Sequence, residues 1–366
     1  MRRRYARGQA SAWLAARLLR DRTGRQHALL TGRAAAGLWA ALRALDIQNQ
    51  PVGIPANTCY IVLWAVLYSG STPVLLDVDP QTANLSLASL AAAPPLAAIV
   101  PAHLYGLPAP MEAITVWASQ RHMLVIEDAA QAVGAHVDGR PVGAWGEVSI
   151  VSFGQGKIID NALGGALLTD DARLAADIAQ LLAAAPEWNE QHAQQSEEWS
   201  QLYWALHQFE TQNPRLAALY PPLFDLYREL IVYRLPPSYW ADLPDSLSQL
   251  PANLQARAAI AALYDDALSA APVTPLPHPA GTAIWRYSLL TSRRDELLRQ
   301  LWQDGFHEVT RWYPSLRPML AALRPDLSIP PTPNADHLDR EIINLPVDIP
   351  GEQAARLAQA IHRFFD

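Results

Sequence analysis

The sequence predicts an α/β protein: a mostly parallel sheet covered by helices, followed by a smaller C-terminal α+β domain. Three observations carry this. Between about residues 28 and 170, short apolar runs alternate with helical runs of roughly 10 to 15 residues, as strands do when crossover helices join them. Two of the apolar runs, LVIED and SIVSF, carry a polar residue at or one before their ends (Asp128 and Ser152), which puts those residues at the carboxyl edge of the sheet, where such sheets bind ligands. The 366 residues are 50% hydrophobic and 17% charged, enough for one large core and a second, smaller one. The expected division is a large domain over 1–240, carrying a helical insertion at about 180–240, and a small domain over 241–366.

Each element has its own reason. The opening MRRRYARGQASAWLAARLLRDRTGRQ is basic, but Arg17, Arg20 and Asp21 break its apolar positions, so it is expected to form an amphipathic helix and not a secretory signal. RAAAGLWAALRAL has helical composition, PVGIPAN is a short strand ending in a turn, and CYIVLWAVLYSG is an apolar helix closed by Gly70. TPVLLDVD is a buried strand, SLASLAAA a helix, LAAIVPAHLYG a strand and loop, MEAITVWASQRH a helix and MLVIEDAA a strand. HVDGRPVGAWGEVSIVSF is expected to form a hairpin and then another strand. The stretch from 180 to 240 is rich in Trp, Tyr and Gln and is expected to be helical, packing on the body or on a second subunit. Its acidic opening argues against a helix lying on a membrane. Beyond it come a long helix (LPANLQARAAIAALYDDALSA), a strand (AIWRYSLLT) and two more helices (RRDELLRQLWQDG and GEQAARLAQAIHRFF).

Composition excludes several function classes. A net charge of −7 argues against nucleic-acid binding, whose footprint is a basic surface. No apolar run approaches the ~18 residues of a membrane span. The single cysteine, Cys59, rules out a disulfide framework and a cysteine-based metal site, so no metal is expected. A cytoplasmic location is expected.

The sharpest signal is Lys157, in SIVSFGQGKIIDNALGGALLTDD. It is the only lysine in the chain: 28 basic residues less one leaves 27 arginines. Arginine and lysine exchange where only charge matters, but a guanidinium stays protonated and cannot attack a carbonyl, whereas a buried amine can. If Lys157 holds an aldehyde cofactor, three further features are needed. A carboxylate must face the pyridine nitrogen of pyridoxal phosphate, and Asp128 ends a buried strand, with Glu127 pointing to the opposite face. A helix start must receive the phosphate. Gly32 and Arg33 stand at such a start in LLTGRAAAG, and the Ser152 hydroxyl lies near enough in sequence to help. The ring must be held in plane, for which Gln131 on one side and Thr58, Cys59 and Tyr60 on the other are candidates. Gly164 and Gly165 suit a tight turn beside it.

Successive blocks, namely IPANTCYIVLWAVLYSGSTPVLLDVDPQTANLS, VPAHLYGLPAPMEAI, VIEDAAQAVGAHVDGRPVGAWGEVSIVSF and GKIIDNALGGALLTDD, resemble in order those of the DegT/DnrJ aminotransferases. The resemblance is clear over about residues 28–171 and returns weakly in ARAAIAALYDDALS, IWRYSLL and INLPVDIP. It implies the aspartate-aminotransferase-like fold type I, pyridoxal 5'-phosphate as cofactor, and an amino group moved to a keto sugar linked to a nucleotide, with glutamate the usual donor. By residue, it implies Lys157 as the lysine bonded to the cofactor, Asp128 as the ring-nitrogen partner, Gln131 as a ring contact, Ser152 as a phosphate contact, and Gly32 and Arg33 at the phosphate-binding turn. It also implies a homodimer and a place in amino-sugar or cell-surface polysaccharide synthesis.

The sequence departs from the family at several points. Cys59 stands where an aromatic residue commonly follows the threonine, and Ala162 and Leu163 replace part of a glycine-rich run. The asparagine–arginine stretch that reaches a neighbouring subunit's cofactor phosphate has no clear counterpart near 235–250. The late substrate motif reads TRWYPSLRPM, which makes Arg311, Tyr313 and Arg317 candidate substrate contacts, together with His103 of PAHLYG. Lys157 argues against the related sugar dehydrases, which carry histidine there. Two alternatives stay open: a non-catalytic cofactor-binding sensor or assembly subunit, and an aminotransferase acting on a non-sugar ketone.

Overall fold

A computed structural model describes residues 2–210 and 213–366. The chain opens with helix α1 (Arg2–Thr23) and strand β1 (His27–Thr31). Helix α2 (Ala34–Ala44), β2 (Pro51–Pro55), α3 (Tyr60–Ser69), β3 (Thr72–Leu76), α4 (Leu87–Ala91), β4 (Ala98–Ile99), α5 (Met111–Ser119) and β5 (Leu124–Asp128) follow in strict alternation. A hairpin of β6 (His136–Val137) and β7 (Arg140–Pro141) leads to β8 (Val148–Ser152) and β9 (Gly165–Thr169). Asp138 and Gly139 between the hairpin strands both have positive φ, the geometry that lets a two-residue turn match the strands' twist.

Seven of these strands form one sheet in the order β1-β9-β8-β5-β4-β2-β3. The run β8-β5-β4-β2-β3 is parallel throughout, and only β9 runs against its neighbours. The carboxyl ends of β5 and β8 therefore open on one edge, with the amino end of α2 beside them. Alternation sets the two faces. Ile126, Ile150, Val52 and Ile54 point into the larger core with α2 and α3, whereas Val125 and Ile99 join Met111, Ile114 and Ala118 of α5 in a separate cluster. The sheet is thus mixed, mainly parallel and covered on both faces. Strands β1 and β9 were not separated from their flanking segments in the sequence; they pair with each other antiparallel, from His27 opposite Thr169 to Thr31 opposite Gly165.

After α6 (Ala172–Ala183) comes the aromatic segment. It holds α7 (Glu190–Glu210), α8 (Tyr220–Tyr227) and short 3-10 turns at Pro214–Leu219, Arg228–Leu230 and Pro237–Trp240. It packs on the body through ring contacts: Trp199 lies 5.2 Å from Trp64 and 4.0 Å from Tyr227, and its indole N–H donates to the Leu223 carbonyl at 3.0 Å.

The remainder is α9 (Leu243–Ser248), α10 (Leu250–Ala267), β10 (Thr274–Pro275), β11 (Arg286–Leu290), α11 (Arg294–Gln303), α12 (Arg317–Leu323), α13 (Pro333–Glu341), β12 (Ile342–Pro346) and α14 (Gly351–Phe365). Strands β10-β11-β12 make an antiparallel sheet. Tyr264, Tyr287, Leu297, Leu345, Leu357 and Ile361 form its own core. The chain passes from the first core to this one within α10, since Leu250 belongs to the first and Ala261 to the second.

Candidate active site

A cavity of about 320 Å³ lies at the carboxyl edge of the large sheet, and Lys157, Asp128, Gln131, Ser152, Arg33, Cys59 and Tyr60 all line it. Lys157 sits in the loop between β8 and β9. Its N–H donates to the Gly154 carbonyl at 3.1 Å, and Asp160 braces the same loop by accepting from the N–H groups of Gly156 at 2.7 Å and Ala162 at 2.8 Å. The C-terminal part holds it from outside: the Trp285 indole N–H donates to the Gly156 carbonyl at 2.7 Å and the Asn253 amide to that of Ile158 at 2.7 Å. The lysine amine rests 4.3 Å from the centre of the Trp285 ring. Burial pushes its pKa below the ordinary lysine value and Arg286 adds to this, while Cys59 and Asp128 pull the other way. An amine so placed gives up its proton more readily than a surface lysine.

Asp128 and Glu127 are neighbours on β5 with opposite surroundings. Among the described residues the Asp128 carboxylate accepts one hydrogen bond, from Ala130 N–H at 3.0 Å, and it lines the cavity. Burial raises its pKa, opposed by that bond and by Lys157. Glu127 faces away and accepts from Gly143 N–H at 2.8 Å, Trp145 N–H at 2.9 Å and the Ser149 hydroxyl at 2.6 Å, with His103 Nε2 at 2.9 Å. Burial would raise Glu127 as well, but the bond and charge of His103, with Ser149 and Gly143, outweigh it and hold the carboxyl below its ordinary value.

His103 is therefore not a substrate contact. It is buried, its Nδ1 accepts from Ala109 N–H at 2.9 Å, and Nε2 is committed to Glu127, so no ring nitrogen is left for a ligand. Arg317 also stands elsewhere, paired with Asp336 at 2.9 Å in a separate groove. Arg311 acts on the Asp339 carboxyl and does not line the cavity. Tyr313, the remaining candidate of that motif, does come to the site: its hydroxyl accepts from the Gln131 amide at 3.3 Å, and Gln131 in turn accepts from Tyr105 N–H at 2.8 Å.

Arg33, Ala34 and Ala35 line the cavity where α2 begins, and no side chain caps that helix. Ser152 stands opposite, half-buried, accepting from Gly154 N–H at 3.3 Å. Arg33 donates to the Tyr227 hydroxyl and, at 3.1 Å, to the Leu230 carbonyl. Gly32 has a different duty from the one expected of it. It does not line the cavity, and a Cβ there would collide with the carbonyl and ring of Tyr233, so its bareness admits the insertion. Cys59 and Tyr60 stand at the start of α3, and both line the cavity. Burial raises the Cys59 thiol's pKa, against a downward pull from Lys157. The Thr58 hydroxyl is buried without a hydrogen-bond partner among the described residues.

A second chamber of about 170 Å³ adjoins the first and shares Lys157, Cys59, Tyr60, Ile61 and Gln155 with it. Its walls are Tyr203 and Trp204 of α7 with Trp285, Trp312 and Tyr313. The rings of Trp285 and Trp312 are 5.4 Å apart and within 9° of parallel, with Trp204 6.2 Å beyond. Sequence reading did not single out Trp204, Trp285 or Trp312. No group of side chains among the described residues is arranged to hold a metal ion, and no helix among them is long and apolar enough to cross a membrane.

Comparison with known proteins bears on the family and the fold. Residues 5–211 match the model of the DegT/DnrJ/EryC1/StrS aminotransferase family. A UDP-N-acetyl-3-dehydro-alpha-D-glucosamine 3-aminotransferase of Acidithiobacillus ferrooxidans is 43% identical over 141 residues, 37% of this chain and 38% of that protein. GDP-perosamine synthase of Caulobacter vibrioides is 40% identical over 164 residues, 44% of each. The chain thus matches about two fifths of the length of these relatives. Its structure superposes on that of a DegT DnrJ EryC1 StrS aminotransferase from Brucella abortus with a TM-score of 0.78 and 25% identity, covering 97% of this chain and 90% of the other.

Proposed function

The chain belongs to the DegT/DnrJ/EryC1/StrS aminotransferase family, and from that premise we propose that it is a pyridoxal-phosphate-dependent aminotransferase, converting a ketone on a nucleotide-linked sugar to an amine with glutamate as donor. The observation that carries this is the meeting of the chain's one lysine and a buried, nearly unpartnered carboxylate on one cavity that ends at an uncapped helix start. Those groups fit pyridoxal phosphate. Lys157 would hold its aldehyde end and Asp128 its ring nitrogen. The start of α2, with Arg33 and Ser152, would hold the phosphate, and Gln131, Thr58, Cys59 and Tyr60 would flank the ring. When bound, the cofactor supplies an electron sink that makes the proton on the amine-bearing carbon removable.

The residues' own contributions follow from their surroundings. The Asp128 carboxylate keeps a proton on the ring nitrogen by opposing its charge in a dry site. The Lys157 amine, its pKa lowered by burial, would serve as the base for that carbon proton. Trp285 and Asp160 keep its loop from swinging out. The names of the two curated relatives support a nucleotide-linked sugar as acceptor. The dimer expectation gains support from three leucines of the insertion, Leu202, Leu219 and Leu226, which are 54%, 49% and 65% exposed; a light-scattering mass of one subunit would contradict it. The activity itself is tested by adding glutamate to the purified, cofactor-loaded protein. The wild type should convert the cofactor to its amino form. Lys157→Arg, which keeps the charge but not the chemistry, should be slower by about a thousandfold. Cofactor that binds but never converts would favour the sensor alternative.

A further inference from the structure

The insertion presents a buried hydroxyl beside the Arg33 guanidinium, which draws its pKa down against the rise that burial causes, yet no partner among the described residues meets it with hydrogen-bond geometry. Tyr233 is buried, and its OH has no hydrogen-bond partner among the described residues. The residue lines the larger cavity. Its ring packs against Gly32, two residues before α2, and lies 5.7 Å from the Arg33 guanidinium and 4.4 Å from the ring of Trp188. Three more hydroxyls come from the same segment to the same cavity: Ser196 and Ser200, one turn apart on α7, and Tyr227, which already bonds Arg33. A buried hydroxyl left unpaired is costly unless a ligand completes it. Here it sits beside a cation and an uncapped helix start, which together attract an anion.

We propose that Tyr233 donates its hydroxyl hydrogen bond to the phosphate of the bound cofactor, so that the chain's own insertion closes the phosphate end of the site. This rests on the functional reading above. The Arg33 guanidinium and the helix start supply charge, the Tyr233 hydroxyl supplies a directed bond, and Ser196 and Ser200 stand on the same wall. The departure noted near 235–250 then has a local counterpart: the segment just before it reaches back to this chain's own α2.

Tyr233→Phe removes the hydroxyl and keeps the ring that packs on Gly32 and Trp188. Equilibrium titration of the cofactor-free protein, followed by visible absorbance, should show affinity for pyridoxal phosphate falling about tenfold or more. Affinity for pyridoxal, which lacks the phosphate, should be unchanged. Inorganic phosphate should compete with pyridoxal phosphate less well in the variant than in the wild type. Unchanged affinity for pyridoxal phosphate, or an equal loss for both ligands, would overturn the assignment. Failure of the wild type to bind pyridoxal phosphate at all would instead overturn the functional reading.

Discussion

The larger chamber and the aromatic one share Lys157, Cys59, Tyr60, Ile61 and Gln155, yet their other walls are made in different ways. The larger chamber takes Asp128, Ser152 and the start of α2 from the strand ends and first helix of one sheet, so each of these positions follows from where a strand stops or a helix begins, and the insertion only closes it over. The aromatic chamber takes Trp204, Trp285 and Trp312 from three distant stretches, brought together only by tertiary packing. The chemical groups sit on the rigid wall. The assembled wall is largely aromatic, and under the proposed function it is the wall that would meet the acceptor.

That division can be broken from either side. The largest effect should come from behind the sheet edge, at Glu127, which belongs to the rigid wall although it touches no ligand. Glu127→Gln strips a buried acceptor of its charge beside His103, Ser149 and two N–H groups, and should cost about 3 kcal/mol of stability. The sign with pH is fixed. Because the folded carboxyl is held below its ordinary value, its contribution is complete above the usual carboxylate range of about 4.3 and is lost as pH falls through the folded value. Thermal unfolding followed from neutral to acid pH should therefore show a shallower acid decline in Glu127→Gln than in the wild type. Parallel curves would mean that Glu127 is not what fixes β5.

A smaller and different effect is expected at the aromatic wall. Trp312→Ala should raise KM for the keto acceptor by about tenfold while leaving affinity for pyridoxal phosphate and the half-reaction with glutamate unchanged. Steady-state kinetics on acceptor and donor separately would read this. An equal loss in both half-reactions would show that the two chambers act as one.

The same contrast explains what the sequence disclosed. Lys157 stood out because no other lysine competes with it, and Asp128 because it ends an apolar run; strand alternation already turned Glu127 to the other face. Strands β1 and β9 escaped notice because HALLT and GALLT are short apolar runs merged with neighbouring turns, and their pairing is non-local. His103, Arg311 and Arg317 looked like ligand contacts because residue type and position near a motif say nothing about which partner a side chain has already found. Glu127 had claimed His103 and Asp336 had claimed Arg317, while Arg311 lies away from the cavity, near enough to Asp339 to pull its carboxyl's pKa down against the rise that burial causes. The aromatic chamber had no local signal at all: the Tyr105 hydroxyl reaches the Trp312 carbonyl across 207 residues of sequence. Gly32 was found for the right position and the wrong neighbour, since only the folded insertion reveals Tyr233 against it.

The central claim is that the chain's one lysine is the residue to which the cofactor is joined. Borohydride reduction of the protein saturated with pyridoxal phosphate, followed by peptide mapping, tests it most directly. The pyridoxyl group should be found on Lys157, with no label in the corresponding peptide of Lys157→Arg. Saturated protein whose residue 157 came through reduction unmodified would contradict the account.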